Sequence, residues 1–129
     1  FDVVLLGDVI EHLREPVDTL RRLRRFLRPG GRLVLSTPNV ANWAIRLSLL
    51  GGRWRYTDRG ILDRTHTHLV TRATLREAIE SAGYVVDRID FSAPMPGDSD
   101  LLDGAARAVA LLRPTLFAYQ WVAVGHTGS

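Results

Sequence analysis

FDVVLLGDVIEHLREPVDTLRRLRRFLRPGGRLVLSTPN, residues 1–39, reads as strand, helix, strand. Phe1 to Leu6 is a nearly all-apolar run rich in β-branched residues, the pattern of a strand buried on both faces of a parallel sheet. Gly7-Asp8 breaks it. Between Glu15 and Leu27 the apolar residues Val17, Leu20, Leu23 and Leu27 recur at helical spacing, with Arg21, Arg22, Arg24, Arg25 and Arg28 mostly on the other side. Pro29-Gly30-Gly31 stops that helix by removing a donor and permitting positive φ. Arg32 to Ser36 gives a second buried strand, closed by Thr37-Pro38-Asn39. Parallel strands joined by one helix cross over right-handedly, and the ligands of such sheets sit at the carboxyl ends of the strands. Those ends are Gly7-Asp8-Val9 and Ser36-Thr37-Pro38-Asn39, so the chemistry is expected there.

Beyond Asn39 the spacing predicts a helix with Val40, Trp43, Ala44, Leu47 and Leu50 on one face, Asn39 as its N-cap and Gly51-Gly52 at its end. Residues 53–71 (RWRYTDRGILDRTHTHLVT) follow neither the strand nor the helix period. Their density of Arg, His, Asp, Trp and Tyr is typical of a functional loop; the plainer alternative is a surface crossing pinned by Trp54, Tyr56 and Leu62. Thr71 caps a helix that buries Leu75, Ala78, Ile79 and Ala82, with Thr74 and Glu77 as the alternative capping box. After Gly83, Tyr84 to Phe91 is a strand whose charges Asp87, Arg88 and Asp90 suit a sheet edge. A helix capped by Asp98 or Ser99 is expected to run to about Leu112. Thr115 to Val124 is read as the last strand, internal to the sheet, with His126 in an inert tail.

The chain has 129 residues, is 46 % hydrophobic and contains no cysteine. A chain of this size buries roughly two-thirds of its unfolded surface, enough for a core without staples. Disulfides and thiolate metal sites are excluded, and a reducing cytoplasm is the expected compartment. No apolar run approaches the ~20 residues of a membrane span. The net charge is +3, but all 17 basic residues are arginine. So uniform a bias suggests codon composition more than selection for phosphate contacts. The arginine-rich helix is therefore read as a solvated face and not as a nucleic-acid surface. The chain opens at Phe1, inside a strand, and its one methionine is Met95; it is read as the C-terminal half of a longer protein.

D-V-I-E-H-L after an apolar strand, then a helix and L-R-P-G-G-R-L-V-L-S-T-P-N, resembles the fourth and fifth strands of class I S-adenosylmethionine-dependent methyltransferases. D-R-T-H-T-H-L-V-T with L-R-E-A-I-E-S-A-G-Y is also similar to this group, which includes ubiquinone-pathway O-methyltransferases and methyltransferase-like proteins associated with methionine biosynthesis. The match covers most of residues 1–92. The family's glycine-rich loop after its first strand, and the acidic residue ending its second, have no counterpart in these residues. The resemblance implies an α/β fold: the C-terminal half of a Rossmann-like sheet, with helices on both faces. Its four strands would lie in the order first, second, fourth, third, the fourth antiparallel and inserted. It also implies S-adenosylmethionine as cofactor and a small-molecule or sugar hydroxyl as methyl acceptor. Gly7, Asp8 and Val9 would contact the methionine part of the cofactor, mostly through backbone, and a glycine lets that backbone approach a ligand closely.

Asp8, Glu11 and His12 form D-x-x-E-H. Offsets of three and four put all three on one face if residues 8–12 form a helical turn. Among the relatives, small-RNA 2′-O-methyltransferases carry E-x-x-E-H and a later histidine as a divalent-metal site; here that histidine would be His66 or His68. The plainer reading, Glu11 and His12 as polar residues lining the cleft, is preferred, and no metal is assigned. His66 and His68 alternate, so an extended segment points both the same way. Histidine is the side chain best suited to take a proton from a hydroxyl near neutral pH, and His66 matches the family's D-R-T-H position. His66, with His12 and Glu11, is therefore assigned to catalysis. The plainer reading of His66 is a loop histidine bonded to Asp58 or Asp63. A partner-binding module without catalysis and an RNA-associated domain are the rival functions. The bare edge of the strand at residues 1–6 is expected either to pair two copies into a homodimer or to receive the rest of the protein.

Overall fold

The computed structural model describes residues 1–92 and 108–128. Strand β1 (Val3–Gly7) leads through a 3-10 turn (Ile10–His12) into helix α1 (Pro16–Leu23), which tightens to a second 3-10 turn over Arg24–Phe26. Strand β2 (Arg32–Pro38), helix α2 (Trp43–Leu50), helix α3 (Arg72–Ser81) and strand β3 (Tyr84–Ser92) follow. Residues 108–112 are helical, α4 (Pro114–Phe117) is a single turn, and β4 (Gln120–Thr127) closes the chain. The segment of the expected 98–112 helix before residue 108 lies outside the described residues.

The four strands form one sheet in the order β1-β2-β4-β3. β1 and β2 pair in parallel, with Val4 opposite Leu33 and Leu6 opposite Leu35; β4 runs antiparallel to both β2 and β3. The inserted antiparallel strand and the edge position of β3 are as the sequence and the resemblance imply. Alternation decides the two faces. Leu33, Leu35 and Thr37 of β2, with Trp121, Ala123 and Thr127 of β4, are buried beneath α1 and α3, whose Leu20, Leu75 and Ile79 complete the core. Pro16, with its φ preset for a helix, opens α1. Thr71 and Thr74 exchange reciprocal side-chain and backbone bonds at the start of α3, so the capping box begins at Thr71 and does not involve Glu77. Gly31 is required by its turn, since a Cβ there would lie 2.8 Å from the Arg28 carbonyl oxygen.

Several expectations are corrected. β1 is not buried on both faces. Val4 and Leu6 pack on the core, whereas Leu5 is 72 % exposed, because the outer side and second face of this edge strand meet nothing among the described residues. β4 starts at Gln120 and not at Thr115. The run from 115 to 124 is too uniformly apolar for its pattern to mark a start, and Pro114 opens a helical turn before it. His126 consequently sits in β4, its Nδ1 2.8 Å from an Asp87 carboxylate oxygen, and is no inert tail residue. The N-cap of α2 is Asn42, whose side chain accepts from the Ala44 amide. Asn39 is fully buried instead. Its side-chain amide donates to the carbonyls of Ala118 and Thr115, and its oxygen accepts from the Ala41 amide, so it ties the end of β2 to the turn before β4. The apolar face expected on α2 faces outward, with Trp43, Leu47 and Leu50 all exposed.

Candidate active site

The parallel strands end in two turns that lie side by side. Asp8, just past β1, has φ 51°, the one non-glycine residue with positive φ among the described residues. That conformation is uncommon for residues with a Cβ, although Asp tolerates it better than most. It takes Asp8 out of the turn formed by Ile10–His12, so Asp8, Glu11 and His12 do not share a helical face as D-x-x-E-H suggested. The Asp8 carboxylate accepts instead from the Ser36 hydroxyl (3.1 Å) and from the Gln120 side-chain amide, and its own amide donates to the Ser36 carbonyl (3.2 Å). Gly7 and Val9 flank it, with Val9 partly exposed at the same end of the sheet.

Glu11 turns the other way. It is 1 % exposed, and neither carboxylate oxygen meets a hydrogen-bond donor in bonding geometry among the described residues. Burial pushes its carboxyl above the ordinary carboxylate range. Its own backbone amide and the nearby Thr37 hydroxyl oppose that shift, the Asp8 carboxylate adds to it, and His66 opposes it. The Thr37 hydroxyl and the Trp121 indole N–H, on register partners of β2 and β4, are likewise buried without partners among the described residues. An unmet buried carboxylate is costly to folding, and such groups concentrate at functional sites.

The 53–71 segment brings the remaining groups. Thr67 and His68 donate their backbone amides to the Glu11 carbonyl at 2.7 and 3.0 Å, and the Thr67 hydroxyl reaches the Leu13 carbonyl at 3.0 Å. These bonds lay the loop along the 3-10 turn. Ile61 and Leu62 are buried and anchor it, whereas Trp54 and Tyr56 remain exposed and meet each other edge to face. Asp63 caps the next turn, accepting from the Thr65 amide (2.8 Å) and hydroxyl (2.6 Å); these bonds, hydroxyl first, hold its carboxyl below the usual range. Asp58 pairs with Arg64. Neither aspartate takes His66, whose Nδ1 lies 2.9 Å from the Ile61 carbonyl oxygen.

His12 and His66 meet edge to face, ring centroids 4.9 Å apart. His12 Nδ1 lies 3.1 Å from the Thr65 carbonyl. A carbonyl can only accept, so in both rings Nδ1 is the donor, and it is Nε2 that holds the lone pair in the neutral ring. His68 is spent differently, its Nδ1 bonded to the Leu13 carbonyl at 2.7 Å as a loop staple. Glu11, His12 and His66 each offer one ligand atom within 4.8 Å of one another. The sequence-assigned catalytic trio is thus brought together, and Asp8 stands apart from it. A cleft of about 520 Å³ lined by Tyr56, Arg64, His66 and Thr67 opens beside the trio. Ser36, Gln120 and Thr37 are the site residues that sequence reasoning did not single out. Ser36 and Thr37 stood at a strand end already marked for chemistry; nothing in the pattern marked Gln120 beyond its being the polar residue of an apolar run.

An α/β sheet with an inserted antiparallel strand, carrying a carboxylate and two imidazoles at its parallel strands' carboxyl ends, has a Rossmann-like architecture. The same fold occurs in an S-adenosylmethionine-dependent methyltransferase from Archaeoglobus fulgidus (TM-score 0.61, 17 % identity, covering 98 % of this chain and 59 % of that one). It also occurs in a methyltransferase from Thermotoga maritima (TM-score 0.62, 14 % identity, 98 % and 56 % covered). The chain belongs to the methyltransferase domain family, whose model it matches over residues 1–89. It is 34 % identical over 92 residues to a ubiquinone biosynthesis O-methyltransferase of Cereibacter sphaeroides and 33 % identical over 88 residues to that of Aeromonas salmonicida. These alignments take in 70 % and 67 % of this chain but 36 % of each relative, so the chain spans about a third of the length of the curated relatives it matches.

Proposed function

We propose that the full-length protein transfers a methyl group from S-adenosylmethionine to a hydroxyl of a small molecule, with His66 as the general base. The observation that carries the assignment is the His66 ring. Its Nδ1 proton is committed to the Ile61 carbonyl, which leaves the Nε2 lone pair available at the wall of the cleft. The cofactor supplies an electrophilic methyl carbon and its own leaving group, so the protein's task is orientation and removal of the acceptor's proton. His66 takes that proton at Nε2. Glu11 lies beside it and, when ionised, favours the imidazolium that results through its charge, while His12 packs edge to face on the ring. The Gly7–Val9 backbone orients the methionine portion of the cofactor. The matched O-methyltransferases support oxygen as the acceptor atom.

The adenosine and ribose contacts of this family fall on strands that residues 1–129 do not contain. Isothermal titration should therefore show S-adenosylmethionine binding to the full-length protein and negligible binding to residues 1–129 alone. Micromolar affinity in residues 1–129 would contradict this placement of the cofactor.

A second reading rests on the same trio. Two imidazoles with free Nε2 atoms and an orphaned buried carboxylate fit a divalent cation such as Mn²⁺ or Fe²⁺. A metal bound by Glu11, His12 and His66 would polarise the acceptor hydroxyl and make His66 a ligand. Activity lost to a chelator and restored by Mn²⁺ favours this reading; indifference to chelation favours the base.

The edge of β1 bears on assembly. Asp2, just before the strand, is paired with Arg28, and Val3 and Leu5 are exposed beside unpaired backbone. In the full-length protein the remaining half covers this edge. For residues 1–129 alone, light scattering should report twice 14.4 kDa, from two antiparallel copies of β1 forming one continuous sheet, or larger aggregates. A monodisperse monomer would show that the edge is tolerated. No helix among the described residues is long and apolar enough to cross a membrane.

A further inference from the structure

Four side chains form an unbroken polar line along the end of the sheet where the cofactor is proposed to bind. The Ser92 hydroxyl of β3 donates to Gln120 Oε1 (3.5 Å), Gln120 Nε2 of β4 donates to Asp8 Oδ1, and the Ser36 hydroxyl of β2 donates to the same oxygen. In this orientation the Gln120 amide meets both neighbours, its nitrogen donating to Asp8 and its oxygen accepting from Ser92. The line converges on the one described non-glycine residue with positive φ. A conformation of that kind persists only when its surroundings over-determine it. Here the Ser36 carbonyl and hydroxyl hold the Asp8 amide, while Ser36 and Gln120 hold its carboxylate.

We infer that Gln120 is a positioning residue. From the inserted antiparallel strand it reaches across the end of β2 and locks Asp8 in its left-handed conformation, which sets the direction of the Gly7–Asp8–Val9 backbone. The consequence for the cofactor rests on the proposed function, since that backbone is the part read as meeting S-adenosylmethionine. The insertion of β4 between β2 and β3 then has a role at the site as well as in the sheet, because it brings the amide of Gln120 to a turn 112 residues away in sequence.

A glycine at position 8 adopts positive φ without side-chain help, and this gives the test. In the full-length protein, Gln120→Leu should weaken S-adenosylmethionine binding about tenfold, the loss of one charge-assisted hydrogen bond, with kcat at saturating cofactor little changed. In an Asp8→Gly background the same Gln120→Leu should have no further effect on affinity, and should lower Tm by less than it does when Asp8 is present, since only the Ser92 contact is then lost. Equal effects in both backgrounds, or unchanged affinity in Gln120→Leu, would overturn the inference. If the wild-type protein binds no S-adenosylmethionine, the functional reading fails. The Tm coupling between positions 8 and 120, measured without cofactor, then decides the positioning role by itself.

Discussion

His66→Gln in the full-length protein is expected to lower methyl transfer by about two to four orders of magnitude, the usual contribution of a positioned general base, while S-adenosylmethionine affinity stays as in the wild type. Glutamine can keep the bond to the Ile61 carbonyl through its side-chain amide, so the loop should hold its course. What it cannot do is accept the acceptor's proton. The split between intact cofactor binding and lost turnover separates this role from a structural one, because collapse of the loop would also loosen the Thr67 and His68 amides that grip the Glu11 carbonyl. Transfer within about tenfold of wild type would leave orientation alone to carry the catalysis and remove His66 from it.

Glu11→Gln is expected to act in opposite directions on stability and activity. The carboxylate lies buried with both oxygens unmet among the described residues. An unsatisfied buried polar group costs about 1–3 kcal/mol, so the neutral isostere should raise stability by a part of that, read as a shift in Tm or urea midpoint. Turnover should fall, since the imidazolium loses its neighbouring charge. The pH dependence carries the sign. Burial raises the folded-state pKa of Glu11 above its ordinary value of 4.5, so between those two values the folded state holds more protons than the unfolded chain. The stability associated with the protonated form is complete below the unfolded value and is lost as pH rises through the folded one. Wild type minus Glu11→Gln should therefore become less stable across that window. A difference that is flat with pH, or that rises, would mean that burial does not raise the folded-state pKa of Glu11.

Much of the fold was legible because its causes are local. The strand, crossover helix and strand of residues 1–38 follow from apolar runs, a 3.6-residue period and Pro-Gly-Gly punctuation, and the start of α3 from Thr71. The strand order is not local, and its agreement with the structure came from the family resemblance. Where the pattern carries no contrast, the sequence does not mark the boundary. The apolar run from Thr115 to Val124 gave no mark for where β4 begins, and His126 was misplaced with it. Asn39 looked like a cap because asparagine after a strand often is one; its role is set by the Ala118 and Thr115 carbonyls, 79 and 76 residues away.

The site shows the same division. D-x-x-E-H marks Glu11 and His12, and D-R-T-H marks His66, but their meeting depends on amides of residues 67 and 68 bonding to the Glu11 carbonyl, a pairing with no periodicity to reveal it. Asp8 was grouped with them on the assumption of a regular turn. One positive φ sends it to Ser36 and Gln120 instead. Residue type marks the candidates, and backbone geometry decides their partners.

On the proposed function, residues 1–129 supply the base that deprotonates the acceptor of an O-methyl transfer. This is tested most directly by incubating the full-length protein with methyl-labelled S-adenosylmethionine and simple phenols such as catechol, then locating the label. The expected result is label on the phenolic oxygen at a rate that depends on His66. Bound cofactor with no transfer to any hydroxyl, or label found on carbon or nitrogen, would contradict it.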